Sequence, residues 1–477
     1  MTTDVDLLVI GGGINGTGIA RDAAGRGHRL MLVERDDLAS HTSSASTKLI
    51  HGGLRYLEHY EFRLVRESLA ERERLLTLAP HLIRPMRFVM PLTKGMRPAW
   101  MIRAGLLIYD RLGGRSRLPP SQAVRLTGTP WGAGLKPVER GFIYSDAWVD
   151  DARLVVLNAI GARDKGADIR TRTAFVGAVR KADHWHVRLG DGNEVRARAM
   201  VNAAGPWVGE LLASIPGARP ERAPRLVKGS HIIVPRLFDG DHAYILQNDD
   251  RRIIFAIPYE GEFTLVGTTD KPFSGDPAAA SIDPDEVDYL CAAMNRYFER
   301  QLGPADLVAT YSGVRPLYDD GSANASEVTR DYVLRLGFSD SPQLLSVFGG
   351  KITTYRRLAE QALDLLAPFL PSGGGAWTAT ERLPGGDLPG TIDQFIADVG
   401  RRWPSLGPAT ADRMARAYGT RIALALAGEG AEQIIAGSGM PESEVDYLVR
   451  EEWAVSIDDL MWRRTKLGLR ANLGPKR

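Results

Sequence analysis

The segment VIGGGINGTGIARDAAGRGHRLMLVE (9–34) sets Gly11, Gly13 and Gly16 at G-x-G-x-x-G spacing. The apolar run DLLVI (6–10) precedes the glycines, a stretch with helical spacing (14–26) follows, and a second apolar run, RLMLVE (29–34), ends in Glu34. Gly11 permits a tight turn, Gly13 lets backbone approach a pyrophosphate with no Cβ in the way, and Gly16 lets the helix lie close to the strand. Phosphates would then face the helix N-terminus, where unpaired N–H groups and the dipole favour anions. Glu34 stands where a carboxylate accepts hydrogen bonds from ribose hydroxyls and would repel the 2′-phosphate of NADP. A lone glycine pattern reads equally as a tight turn with no ligand. Here strand, loop, helix, strand and acid occur in order, and dinucleotide binding is expected.

A second glycine element, FGGKITTYRRLAEQALDLL (348–366), follows the short apolar run LLSVF (344–348). Gly349 and Gly350 end that strand, and a helix with apolar residues at Ile352, Tyr355, Leu358, Ala359, Ala362 and Leu366 is expected to begin there. One glycine loop serves one dinucleotide, and an NAD enzyme normally completes its sheet with consecutive βαβ units. The scattered strands and the late glycine element favour FAD, with the second helix dipole aimed at the pyrimidine end of the flavin. A helix capped by glycine for packing alone is the alternative.

The elements that position these residues come from a chain of 477 residues, long enough for two or three domains. Its 44% hydrophobic and 25% charged residues place it among folded proteins rather than disordered ones. A net charge of +2 argues against a general nucleic-acid binder. With Cys291 as the single cysteine there is no intrachain disulfide, cysteine zinc site or cysteine-ligated iron–sulfur cluster, and no metal centre is expected. The 51 glycines are in excess of the usual share of about 7%. No secretory signal is expected, since residues 1–6 lead straight into an apolar strand. No run reaches the ~20 apolar residues of a membrane span. RPAWMIRAGLLIYDRLGG (97–114) is either a buried helix or an interfacial one, with Trp100 and Tyr109 at headgroup level and Arg97, Arg103 and Arg111 meeting anionic lipid. VRARAMVNAA (195–204) alternates and then becomes small, giving another strand of the first sheet. Between Lys228 and Leu336, runs such as HIIVP, RRIIFAIPYE and FTLVGTTD predict a largely antiparallel second layer. The Gly- and Pro-rich stretch 371–390 is a linker, and 391–477 has helical periodicity.

Beyond the glycine loop, TSSASTKLIHGGLRYLEHYEFRLVRESLAERERLL (42–76), YSDAWVDDARLV (144–155), VNAAGPWV (201–208), VKGSHIIVPR (227–236), YSGVRPL (311–317), FGGKITTYR (348–356) and WRRTKLG (462–468) closely resemble the FAD-dependent glycerol-3-phosphate dehydrogenases of aerobic glycerol metabolism. The resemblance runs nearly end to end. It implies a mixed α/β (α+β) fold: a Rossmann-like FAD-binding domain of the glutathione-reductase/D-amino-acid-oxidase type, an antiparallel-sheet substrate domain and a C-terminal helical domain. The expected division is 1–80, 146–225 and 336–370 for the first, 81–145 and 226–335 for the second, and 391–477 for the third. It further implies a homodimer, peripheral attachment to the inner face of the cytoplasmic membrane, and electron delivery to quinone. The sequence stops soon after WRRTKLG, so a terminal helix seen in some relatives is expected to be absent. It departs from the mitochondrial branch in having no D-x-[DN]-x-[DN]-G calcium loop.

Glycerol 3-phosphate, the substrate this resemblance implies, carries close to two negative charges and must present its C2–H to flavin N5. A cationic clamp and a base are required. The basic residues inside the matching motifs are Arg55, Lys228, His231, Arg315 and Lys351. Arg55 and Arg315 suit the clamp because Arg offers bidentate geometry to phosphate, with Tyr56 and Thr269 as neutral donors. Lys351 is expected near the flavin or a substrate oxygen, and Arg315 also stabilises a developing alkoxide. His231 is the expected base. His51 is the competing histidine, assigned with Gly52 and Gly53 to a flavin contact. Ser43, Ser44, Ser46 and Lys48 are expected alongside the cofactor, as are Ala204 and Gly205 after their strand. Competing readings are a glycerol-3-phosphate oxidase that uses oxygen and makes peroxide, an amine or amino-acid oxidase, and a non-enzymatic flavin sensor.

Overall fold

The strand Thr2–Ile10, in which Leu7, Leu8 and Val9 are fully buried, centres an eight-stranded sheet in the computed structural model of the chain. The structure describes residues 2–93, 96–218, 224–250, 252–318, 331–428, 433–435 and 438–471, without the side chains of Thr2, Arg55, Glu58 and His59. The order of six strands runs Val333–Leu336, Gln343–Phe348, Glu194–Asn202, Thr2–Ile10, Leu30–Val33, Asp168–Arg170, and the hairpin Phe175–Arg180 and Trp185–Leu189 joins Glu194–Asn202 off this path. All neighbours along the six-strand path are parallel except the first pair. A parallel strand needs a crossover, and being covered on both faces it reads as an unbroken apolar run. The helix Ile14–Gly25 supplies the first crossover and packs against Asp151–Arg163 and Tyr355–Leu366. Small residues on that helix permit the approach: a Cβ at Gly18 would lie 2.7 Å from the Tyr355 ring.

A second sheet of ten strands is mainly antiparallel. Its order is Lys271–Pro272, Arg225–Pro235, Phe263–Gly267, Ile253–Tyr259, Ala243–Gln247, Ile83–Pro91, Arg140–Val149, Leu49–Ile50. Ala309–Leu317 pairs with the other edge of Arg225–Pro235. Only Ala243–Gln247 and Ile83–Pro91 run parallel among the described pairings of this sheet. Two pieces assigned from sequence to the first domain, Leu49–Ile50 and the end of Arg140–Val149, lie in this second sheet. The strand Val333–Leu336 belongs to the first sheet, a few residues earlier than expected.

Residues 371–390 carry no helix or strand, but they are not a loose tether. Trp377 lies against the first helix, its indole N–H donating to the Asp22 carbonyl at 3.0 Å. Helices Ile392–Arg402, Gly407–Tyr418 and Glu442–Glu452 form the C-terminal unit. Buried ion pairs fasten it to the first sheet's helices: Arg153 with Glu452, Arg464 with Asp37 at 2.8 Å, and Lys466 with Asp150 at 2.6 Å. In the basic run RRTKLGLR (463–470), Arg463, Arg464 and Lys466 are thus turned inward onto carboxylates.

Among the described residues no helix is long and apolar enough to cross a membrane. The helix Ala99–Leu112 buries Leu106 and Tyr109 and leaves Trp100, Met101 and Ile108 exposed. Tyr109 therefore cannot sit at a headgroup level, contrary to the sequence reading. Its position about two and a half turns along from Trp100 puts it on the opposite, core-facing side.

Candidate active site

Between the two sheets lies a cavity of about 650 Å³. One wall is made by Ile14, residues of the segment Thr42–Thr47, His51 and the turn Gly349–Thr353, all carried by the first layer or its connections. The facing wall comes from the second sheet, with Tyr144, Gly229, Phe255, Thr268, Asp270 and Arg315.

The glycine loop at one end is shaped by contacts no side chain would allow. Gly11 has φ +115°, and a Cβ there would lie 2.4 Å from the Ala203 carbonyl oxygen. A Cβ on Gly16 would lie 1.9 Å from the Gly11 carbonyl oxygen, and one on Gly13 2.9 Å from Ser43 Oγ. The Ile14 amide donates to Ser43 Oγ at 3.0 Å, opening the helix N-terminus toward this polar segment. Glu34 is buried and accepts from the Gly12 amide at 2.6 Å and the Asp36 amide at 2.9 Å. Burial raises its pKa, against the lowering effect of these two amides. Each carboxylate oxygen keeps a lone pair for a ribose hydroxyl. Gly205, at φ +55°, ends the neighbouring strand beside Ala204.

Asn15 joins the two glycine elements, its Nδ2 donating to the Gly349 carbonyl at 3.0 Å. Gly349 and Gly350 both have positive φ, and a Cβ on Gly350 would lie 2.7 Å from the Asn15 side chain. The helix that follows starts at Tyr355, later than expected, so a turn containing Lys351 rather than a helix N-terminus faces the cavity. This cradle, backbone pressed on backbone at one end and a left-handed turn at the other, fits an extended dinucleotide ending in a flat ring.

At the far end the polar side chains separate into those on the cavity and those behind it. Lys351 Nζ is buried, has no hydrogen-bond partner among the described residues and sits 3.9 Å from the Tyr56 ring centroid. Arg315 Nη1 donates to Asp270 Oδ1 at 2.7 Å. Gly229 leaves room for it, since a Cβ there would lie 2.8 Å from Arg315 Nη2. His51 lines the cavity, and Gly53 at φ +77° opens the turn Leu54–His59 that carries Tyr56. Arg55 is on that turn, but its side chain lies outside the described residues.

Four expectations are corrected. His231 does not reach the cavity: its ring is buried, Nε2 is 3.0 Å from Thr47 Oγ1, and it stacks on Tyr311 at 4.8 Å. Burial, then Arg315 and Lys48, hold its pKa well below the ordinary histidine value. Thr269 is turned away, its hydroxyl donating to Glu286 at 2.6 Å, and its neighbours Thr268 and Asp270, in the connection between Phe263–Gly267 and Lys271–Pro272, line the cavity instead. Lys228 points the same way, paired with Glu286 and Asp283 at 2.8 Å. Ser43 and Ser46 line the main cavity, whereas Ser44 and Lys48 line a smaller one of about 250 Å³, where Lys48 pairs with Asp151 at 2.7 Å. Thr42, Thr47 and Asp270 were missed; only their place inside the quoted motifs could have marked them.

Two interleaved layers, a glycine cradle and a cationic pocket at its end define a flavin-dependent oxidoreductase. A family model described as FAD dependent oxidoreductase matches residues 6–356, and one described as the C-terminal domain of alpha-glycerophosphate oxidase matches 376–474. A glycerol-3-phosphate dehydrogenase of Pseudomonas aeruginosa is 54% identical over 473 residues, covering 97% of this chain and 92% of that one. A D-erythritol 1-phosphate dehydrogenase of Brucella abortus is 50% identical, covering 97% and 94%. The crystal structure of the Bacillus halodurans glycerol-3-phosphate dehydrogenase complexed with FAD superposes with a TM-score of 0.75 at 29% identity, covering 98% of this chain and 87% of that one. The chain belongs to the FAD-dependent glycerol-3-phosphate dehydrogenase family, and FAD is its cofactor.

Proposed function

We propose that the protein oxidises sn-glycerol 3-phosphate to dihydroxyacetone phosphate and passes the electrons to a membrane quinone. The observation that carries this reading is Lys351: a buried amine with no hydrogen-bond partner among the described residues, facing the same cavity as Arg315 and His51. An unpaired buried cation is expensive unless an anion completes it. The names of the relatives make that anion a polyol phosphate. Arg315, partly neutralised by Asp270, and Tyr56 share the task of orienting it. FAD, when bound, supplies the two-electron acceptor for the C2 hydrogen. His51 takes the proton of the C2 hydroxyl as the carbonyl forms.

Burial lowers the His51 pKa; the Asp146 carboxylate opposes that shift and Lys351 adds to it. The neutral, proton-accepting form therefore persists below the ordinary histidine value of about 6.5, and the acid limb of kcat/KM falls below that pH. The decisive experiment is anaerobic mixing with sn-glycerol 3-phosphate, which bleaches the flavin band in the wild type. His51→Gln retains FAD and reduces it about a hundredfold more slowly, while His231→Gln, behind the cavity wall, loses much less. Normal reduction in His51→Gln removes His51 as the base; an unbleached wild type removes the substrate.

A second reading, oxygen as the acceptor, draws on the match of the C-terminal unit to alpha-glycerophosphate oxidase. Peroxide formed at the rate of substrate oxidation without added quinone favours it. For membrane attachment, the support is the exposed apolar face of Ala99–Leu112, with Tyr60 and Phe62 exposed beside it. Trp100→Glu is expected to move the protein from vesicle pellet to supernatant with turnover of soluble acceptors unchanged. Equal pelleting clears this helix of the role.

A further inference from the structure

Behind the His51–Gly53 segment, on the side away from the cavity, three buried polar side chains converge from three elements. Tyr109 comes from the helix Ala99–Leu112, Asp146 from the strand Arg140–Val149 and Arg72 from the helix Phe62–Leu78. All three are nearly inaccessible, at 2%, 1% and 5% exposure. The Gly52 amide donates to Tyr109 Oη at 2.8 Å. Tyr109 donates in turn to Asp146 at 2.8 Å, and Arg72 Nη1 donates to Asp146 Oδ1 at 2.8 Å.

The order of donors is fixed. A backbone N–H only donates, a carboxylate only accepts, and the phenol between them must do both. Burial and the neighbouring Asp146 push the Tyr109 pKa well up, so the phenol keeps the proton it donates. Such chains are polarised along their length, and in a low-dielectric interior each link is costly to leave unmade. The sequence fits this geometry: a Cβ on Gly52 would lie 2.7 Å from Tyr109 Oη and 2.6 Å from Leu69 Cδ2, so only glycine lets the segment sit against the phenol.

The geometry points to Tyr109, Asp146 and Arg72 as positioning residues that hold the His51 backbone, and through Gly53 the Tyr56 turn, in register with the substrate. The inference rests on the reading of His51 as the base. None of the three touches the cavity, so each acts through Gly52. Two adjoining features make the tether consequential. His51 and Tyr56 flank the glycine pair on either side, so one hydrogen bond sets two cavity side chains. The same helix also carries the exposed Trp100 on its outer face, so the tether reaches from surface to active site.

The test uses the FAD-bound full chain in two independent measurements. In Tyr109→Phe the ring packing remains and the Gly52 amide loses its nearer acceptor, keeping only Asp146 Oδ1 at 3.4 Å. Hydrogen exchange in peptides covering residues 49–56 should quicken by about tenfold or more, read without substrate. Anaerobic flavin reduction should slow by about ten- to a hundredfold, with the substrate concentration for half-maximal reduction changed less than threefold. Leu106→Ala, a cavity in the same helix with the hydrogen bonds intact, should lower Tm while leaving the reduction rate near wild type. Unchanged exchange in Tyr109→Phe overturns the tether. Faster exchange with normal reduction, or equal slowing in Leu106→Ala, overturns its role in positioning. If the wild type itself is not reduced, the substrate reading fails, and the exchange measurement still judges the tether.

Discussion

Lys351→Met is expected to lower kcat/KM by about 100- to 1,000-fold while FAD stays bound and Tm rises. A net charge-assisted hydrogen bond contributes about 1.5–3 kcal/mol, and ~3–4 kcal/mol corresponds to that range of rate once burial strengthens the contact. The opposite sign in stability follows from the same observation. Among the described residues Nζ has no hydrogen-bond partner, and it lies over the face of Tyr56. Replacing it with an apolar chain of similar length removes a desolvation penalty that no ion pair offsets. Thermal unfolding and steady-state kinetics on one preparation check both arms. A variant that loses activity and stability together would show Lys351 to be a structural cation.

Gly16→Ala is expected to yield protein with less than about a tenth of the wild-type flavin content. Its Cβ would start 1.9 Å from the Gly11 carbonyl oxygen, a backbone atom that cannot rotate away. Relief requires the helix Ile14–Gly25 to lift or the loop to move, and each displaces the amides that would face the pyrophosphate. The ratio of flavin to protein absorbance after purification reads the outcome. Full flavin content would mean that this loop does not cradle the dinucleotide. The two variants separate the ends of the cavity, since Lys351→Met leaves the cofactor and Gly16→Ala removes it.

The glycine loop was legible from sequence because its reasons are local: spacing, a following helix and an acid within one βαβ unit. The division of the second sheet's side chains was not. Arg225–Pro235 is buried along almost its whole length, so hydrophobicity does not reveal which face meets the cavity, and His231 landed behind it. In the connection after Phe263–Gly267 a single residue likewise separates Thr268, on the cavity, from Thr269, behind it. His51 was undervalued because its flanking glycines suggested backbone contact; the reason for Gly52 is Tyr109, far along the chain. Nothing local to WRRTKLG marks Asp37 and Asp150 as the partners of its cations. Long-range pairing of this kind leaves no periodic signal.

The interleaved first sheet also has a consequence for how the protein is made. Its central strand, Thr2–Ile10, is translated first, yet one neighbour lies at Glu194–Asn202 and the strand beyond that at Gln343–Phe348. Contacts of such separation in sequence close slowly and leave unpaired edges exposed while the ribosome continues. The nascent N-terminal half has a glycine loop but no second glycine turn opposite it. FAD can be enclosed only after Lys351 has emerged, so cofactor supply acts late in synthesis, and a product truncated before that point would be a substrate for chaperones and proteases rather than a partial enzyme.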